Sequence, residues 1–395
     1  MPHPSLRTAL SLRLPIIQGP MTGADTPALA AAVSAAGGLG TLGCGMRSPA
    51  AMAEAAAEVR RRTDRPFGLN LFVQDTPAPD AATVEKAVAR LAPLYAEFGL
   101  TPAVPARWCE DFAAQFDALV EARPAVASFT FGILNAAQVE RLHSAGCTVI
   151  GTATTVAEAV AWADVGADAV VASGMEAGGH RGTFLPTGRL QAEGLAPAEK
   201  APSAKGPSQA DFAASMVGTM ALIPQCVDAL RPRGVAVIAA GGIMDGRGIA
   251  AAQALGAEAV QMGTAFLACD ESGIGPAYRD ALAHATGTDT RTTRVFSGRP
   301  ARGIVNTMLQ RLHAHEADVP AYPVQNALTG ALRRASAEAG RADYLSLWAG
   351  QGVAAVRPMP AAALVAVLEE EWRAALAAVG AQGAGRGAEV TFAIN

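Results

Sequence analysis

Residues 174–184 read GMEAGGHRGTF, four glycines with one acid, one histidine and one arginine, directly after the apolar run DAVVASG. An imidazole placed there can exchange a proton near neutral pH or donate a hydrogen bond to a developing negative charge. The glycines around His180 offer it no side chains to pack against, so the loop reads as a device that aims the ring into a cleft. The plainer alternative is a histidine bonded to its own loop backbone. Glu176 is read as a tie within the loop rather than a catalytic acid. Arg181 is read as a salt-bridge partner rather than an anion anchor.

Two further stretches, AAGGIMDGRG (239–248) and QMGTAFL (261–267), put glycines where apolar runs end. Glycine lets backbone N–H groups approach phosphate oxygens closely, and a helix N-terminus adds a favourable dipole. Gly241 and Gly242 would serve one such loop. Gly263 would serve the other, with the Thr264 hydroxyl donating directly. Taken singly, each motif could merely turn a strand into a helix. The remaining histidines carry less. His3 is terminal, His143 sits on a helix pattern, and His313 and His315, two apart, face different sides of a helix. No His/Asp/Glu grouping has metal-site spacing, no GxSxG elbow occurs, and no cysteine lies in the glycine loops, so neither a metal nor a nucleophile is expected.

Short β-branched runs must position these loops. They are LPIIQGPM, GGLGTLG, FGLNLFV, VASFTFGI, TVIGTATT, DAVVASG, VAVIAAGGI and AVQMGTAFL, and most are separated by alanine-rich helical patterns. Runs apolar on both faces and joined by helices indicate a buried parallel sheet. Eight units fit an α/β fold of the (β/α)8 TIM-barrel type. The rival, an open doubly wound sheet, should show GxGxxG after its first strand, which QGPMTGAD matches poorly. In the barrel the two glycine stretches follow strands seven and eight, the recurring phosphate position, and His180 follows strand six. Residues 75–121 and 271–346 are longer than crossovers need and are expected to form a smaller, mostly helical cap. That leaves 1–74, 122–270 and 347–395 for the barrel. The aperiodic stretch 191–210 reads as a mobile surface loop.

Asn70 ends an apolar run at the barrel mouth, where it could bond a ligand heterocycle or cap the next segment. Beside Gln18, Gly19, Pro20 and Met21, the ligand reading is preferred. A phosphate at strands seven and eight with polar groups at strands one and three describes a phosphorylated planar cofactor, a shape that flavin mononucleotide (FMN) matches.

The bulk numbers bound the rest. A chain of 395 residues, 51% hydrophobic, with mean hydropathy +0.23, is not disordered and can bury a large core. Net charge −4 and a pI near 5.9 give no electrostatic case for nucleic acid or an anionic membrane. Five scattered cysteines without a CxxC pair suggest a reducing compartment. No signal peptide and no membrane span are expected, which points to a cytoplasmic protein.

These motifs, with GTATTVAEA, GTMALIPQ, FSGRPARGIVN, YPVQNALT and LWAGQG, resemble the bacterial FMN-dependent class of the nitronate monooxygenase (2-nitropropane dioxygenase) family almost end to end. The glycine–histidine, AAGGI and MGT segments are also similar to flavin-dependent enoyl-acyl-carrier-protein reductases and NAD(P)H:quinone reductases; FSGRPARG and WAGQG tip the choice. The resemblance implies oxidation of alkyl nitronates, or nitroalkanes, with O2 to a carbonyl compound and nitrite. It puts the catalytic histidine at His180. The cofactor-binding set is expected at Gly19, Pro20, Met21, Asn70, Gly178, Gly179, Gly241, Gly242, Gln261, Met262, Gly263 and Thr264. Ser173 stands where many members carry glutamine, and serine reaches less far toward a ribityl hydroxyl. With Lys86, Lys200 and Lys205 the only lysines, a further cation for the substrate is expected from Arg299 or Arg302, unless these brace cap to barrel. A homodimer is allowed for.

Overall fold

The computed structural model of the protein describes residues 5–187 and 207–384. The aperiodic stretch at 191–210 lies outside these residues up to 206. From there Ser208 N-caps the helix Gln209–Ala214.

The strands, in chain order, are β1 (Ile16–Gln18), β2 (Gly40–Gly43), β3 (Phe67–Phe72), β4 (Val126–Thr130), β5 (Thr148–Ala153), β6 (Ala169–Ser173), β7 (Gly179–His180), β8 (Ala236–Ala240), β9 (Ala259–Met262), β10 (Thr290–Thr293) and β11 (Ala301–Ile304). Eight of them form one parallel sheet in the order β1-β9-β8-β6-β5-β4-β3-β2. Each falls in one of the eight runs expected from the sequence. The sheet ends meet through a parallel bridge between Ile17 and Leu39. The Gln18 side chain also crosses this seam, its Oε1 accepting from Thr41 N at 3.0 Å. The result is a nearly closed barrel.

Alternation along the strands explains its two layers. Val126, Ile150, Val171 and Ile238 form one buried cluster, while Ala127, Val149, Val170 and Val237, one residue along, belong to another shared with the helices. Those helices begin where the sequence dictates. Thr26, Ser48 and Thr155 each cap the amide three residues on, and proline occupies the first turn of two of them.

A second buried cluster joins the helix Ala81–Ala96 (Val84, Leu91, Tyr95) to Phe296, Met308, Leu328, Leu332 and Tyr344. It stands over the C-terminal ends of the strands with a small antiparallel sheet, β10-β11-β7. One boundary differs from expectation. The helix Phe112–Ala122, assigned above to the cap, puts Phe116 and Leu119 into the barrel cluster and is the crossover from β3 to β4. Its apolar face, not its distance from β3, decides where it packs. No described helix is long and apolar enough to cross a membrane.

Candidate active site

A cavity of about 920 Å³ opens over the C-terminal ends of β1, β3, β6, β8 and β9. That is within the range of small-molecule and cofactor sites. All the residues expected to hold a cofactor line it: Gly19, Pro20, Met21, Asn70, Ser173, Gly178, Gly179, Gly241, Gly242, Gln261, Met262, Gly263 and Thr264. His180 lines it too.

The glycine loop carries His180 onto β7, where it pairs with Ala301 of β11. Gly179 takes φ +75°, and a Cβ on Gly178 would lie 2.5 Å from Gly350 N, so the loop depends on having no side chain here. The expectation that nothing packs round the ring holds only locally. Distant aromatics enclose it, with ring centroids of Phe131, Tyr322 and Trp348 at 5.5, 5.7 and 5.2 Å. Its Nε2 lies 2.9 Å from Ser297 Oγ. Burial, reinforced by the nearby Arg299 and Arg333 charges, lowers the imidazole pKa to about 3, so the ring is neutral at physiological pH. Phe131 itself has φ +79°, a strained conformation for an aromatic residue, and it stacks on Phe72 at 4.3 Å.

The charged loop residues sort differently from their spacing. Glu176 ties the loop, accepting from Thr219 N at 2.9 Å and Thr219 Oγ1 at 2.6 Å. Among the described residues Arg181 makes no salt bridge, contrary to the reading from the sequence. It is buried, and its Nη atoms donate to the carbonyls of Ser173, Gly174 and Ser215 at 3.1, 2.7 and 3.0 Å. Arg299 and Arg302 do not line the cavity. Arg299 donates to the carbonyls of Arg181 and Thr183 and lies 4.1 Å over the Phe131 ring; Arg302 donates to Met175 O at 3.1 Å. Both brace the loop, the second of the two roles open to them from the sequence. Gln18 also serves structure, closing the barrel seam as described.

The floor tests whether a phosphorylated planar group fits. Two long helices beginning here are already capped by carboxylates: Asp245 accepts from the amides of Arg247 and Gly248, and Glu176 sits at the start of Thr219–Leu230. Neither N-terminus is open to an anion. The amides of Gly242, Gly263 and Thr264, by contrast, meet no acceptor among the described residues. Gly241 and Gly242 adopt φ +116° and +73°, and a Cβ on Gly241 would crowd Thr219 Oγ1 at 2.7 Å. Thr264 Oγ1 accepts from Gly350 N at 2.9 Å, which leaves its proton to donate. Asn70 Nδ2 donates to Ser128 Oγ at 3.0 Å, and its Oδ1 has no partner among the described residues. Buried Asp25 holds the β1 loop, accepting from Met21 N at 2.6 Å and Gly43 N at 2.7 Å. These donors suit a phosphate at β8 and β9 with a flat ring lying over bare backbone. Among the described residues no three His, Cys, Asp or Glu side chains gather as a metal site.

Several further residues line the cavity to which the sequence assigns no role. Thr130 and Thr152, 3.2 Å apart, are polar residues at the ends of β4 and β5, and could have been read as Asn70 was. Tyr322, Asn326 and Trp348 lie within the YPVQNALT and LWAGQG motifs, which assign them no role, and Arg333 lies in none of the motifs.

A family model described as nitronate monooxygenase matches residues 4–371. A probable nitronate monooxygenase of Staphylococcus saprophyticus is 41% identical over 357 residues, covering 90% of this chain and 94% of its own. One from Staphylococcus aureus strain JH9 is 41% identical over 347 residues, covering 88% and 90%. Among solved structures, the nitroalkane oxidase of Streptomyces ansochromogenes superposes with TM-score 0.81 at 40% identity, over 94% of this chain and 99% of that one. FabK of Thermotoga maritima superposes with TM-score 0.70 at 28% identity, over 95% and 98%.

Proposed function

The chain belongs to the nitronate monooxygenase family and is an oxidoreductase, and from that premise we propose that it oxidises alkyl nitronates with O2, using FMN, to a carbonyl compound and nitrite. The observation that carries this reading is a buried histidine on a cavity whose glycine floor leaves the amides of Gly242, Gly263 and Thr264 without acceptors among the described residues. Gly242, Gly263 and Thr264 would hold the phosphate. Gly19, Pro20, Met21, Gly178 and Gly179 would leave room for the ring, and Asn70, Ser173 and Gln261 would bond its polar edge. FMN supplies the electron-transfer chemistry when bound; orientation and electrostatics are the protein's share.

The Ser297 hydroxyl has two acceptors in reach, His180 Nε2 at 2.9 Å and Arg299 O at 3.1 Å. When it donates to His180, the ring carries its proton on Nδ1 and can hydrogen-bond an anion. When it donates to Arg299, the ring keeps the proton on Nε2, and Nδ1 can accept one from a neutral nitroalkane. A base with a pKa near 3 is poorly matched to that abstraction near pH 7, since the effective general base titrates near the working pH. The preformed nitronate is therefore the better substrate. Phe131, Tyr322 and Trp348 exclude water from the ring and strengthen its hydrogen bonds.

The likeness to FabK supports a second reading, an NAD(P)H-dependent reductase of quinones or enoyl thioesters. Anaerobic stopped-flow mixing of the FMN-loaded protein with ethyl nitronate and, separately, with NADH or NADPH decides between them. Fast bleaching of the flavin band by the nitronate and slow bleaching by the nucleotides is expected. The reverse order would give the reductase reading.

A further inference from the structure

Arg333, on the helix Gly330–Glu338, lines the same cavity as His180. Its surroundings differ from those of Arg47, the other arginine on the cavity lining. One Nη donates to Asn326 O and Oδ1 at 2.8 and 2.9 Å, and the other reaches Ser346 Oγ only at 3.4 Å. Its Nε is sealed from solvent and has no hydrogen-bond partner among the described residues, so only the Nη protons can meet a ligand. No carboxylate pairs with it among the described residues, whereas Arg47, the other arginine on the lining, stands 3.5 Å from Asp25. Arg299 and Arg302 spend their donors on backbone carbonyls. The charge is felt at the site, for it lowers the pKa of His180.

A guanidinium has five N–H donors in a planar fork, and a buried charge is normally paired. This one has donors to spare and faces a neutral histidine and an un-ionised tyrosine, Tyr322. A small planar oxyanion entering the cavity would complete it. We propose that Arg333 is the residue that selects the anionic form of the substrate: its guanidinium pairs with the O–N–O group of the nitronate and has nothing comparable to offer the neutral nitroalkane. The assignment rests on the nitronate reading above. It also accounts for a poorly basic histidine, because a substrate that arrives deprotonated needs no strong base. Arg333 would contact substrate alone, on the wall facing the glycine floor.

The test compares Arg333→Gln and Arg333→Lys with the parent holoprotein, each checked for FMN content and melting temperature. Two readouts are taken: the ratio of kcat/KM for ethyl nitronate to that for nitroethane, and the Kd of nitrite, a planar O–N–O anion, by titration calorimetry. Hydrogen bonds to charged groups are strong enough that Arg333→Gln should lower the ratio by ~10- to 100-fold and weaken nitrite by a similar factor. The effect should fall mainly on KM. Arg333→Lys keeps the charge without the fork and should restore only part of both. Equal losses on the two substrates, or nitrite binding that is undetectable in the parent or indifferent to the substitution, would overturn the proposal. A parent protein that binds nitrite through Arg333 yet oxidises no nitronate would retain the anion site and overturn the reaction assigned above.

Discussion

On the barrel side the cavity is lined by bare backbone at Gly178, Gly241, Gly242 and Gly263, whereas the facing wall is all side chain: Phe131, Tyr322, Arg333 and Trp348. The floor gains specificity from close approach. A methyl group added to Gly178 or Gly241 meets protein atoms at 2.5 or 2.7 Å, so the surface cannot be varied without displacing what lies on it. The wall gains specificity from groups that can be exchanged one for another, ring for ring and charge for charge. A floor of that kind suits a constant ligand, the cofactor; a wall of this kind suits the variable one, the substrate. His180 stands where they meet, carried by the glycine loop of the floor and enclosed by the rings of the wall.

The sharpest way to break this division is to change the residue at the junction. His180→Asn should keep fold and FMN while cutting turnover of neutral nitroalkanes by ~10²-fold, the lower end of what general acid–base catalysis contributes, because the ring is a weak base. Preformed nitronates should lose much less, since asparagine still donates a hydrogen bond. Steady-state rates on nitroethane and ethyl nitronate check this, and equal rates for variant and parent would make His180 structural.

A floor substitution should act on the cofactor instead. Gly178→Ala drives a Cβ against Gly350 N, and overpacking of this kind costs ~1–3 kcal/mol. Equilibrium dialysis should show FMN released ~10- to 100-fold more readily, with the substrate ratio of the remaining holoenzyme little altered. Undiminished FMN binding would show that the floor is not the cofactor's seat. Ser297→Ala touches only the partner of His180, and a single hydrogen bond of ~1 kcal/mol sets a loss of about fivefold. That loss should appear in kcat with FMN content unchanged.

The smallest effect concerns pH, and here floor and wall should respond in opposite senses. The folded His180 pKa lies below its ordinary 6.5, so the unfolded chain binds the proton first and stability is lost as pH falls through 6.5. Asp25, beneath the Met21 loop, is raised by burial from 3.8 to about 6, so the folded chain binds the proton first and stability is lost as pH rises from about 4 to 6. Denaturant melts across pH 4–7 should show His180→Asn flattening the first slope and Asp25→Asn the second. Parallel curves for parent and both variants would contradict both shifts.

Read alone, the chain already determines its eight barrel strands, its helix starts and the glycine floor, because each of these is written locally. A β-branched run ending in glycine, a threonine three residues ahead of the amide it caps, and a GGI turn after a strand need no partner to be recognised. The placement of His180 at a cavity was legible for the same reason. The wall was not. Tyr322, Arg333 and Trp348 lie 142, 153 and 168 residues beyond His180 by their numbers, and only the folding of the later segments back over the barrel mouth puts them beside it. The fates of the arginines were equally illegible. Arg181, Arg299, Arg302 and Arg333 look alike in the sequence. What separates the three braces from Arg333 is where each guanidinium sits, against the carbonyls of the glycine loop or on the cavity lining, which tertiary structure supplies and sequence spacing cannot encode.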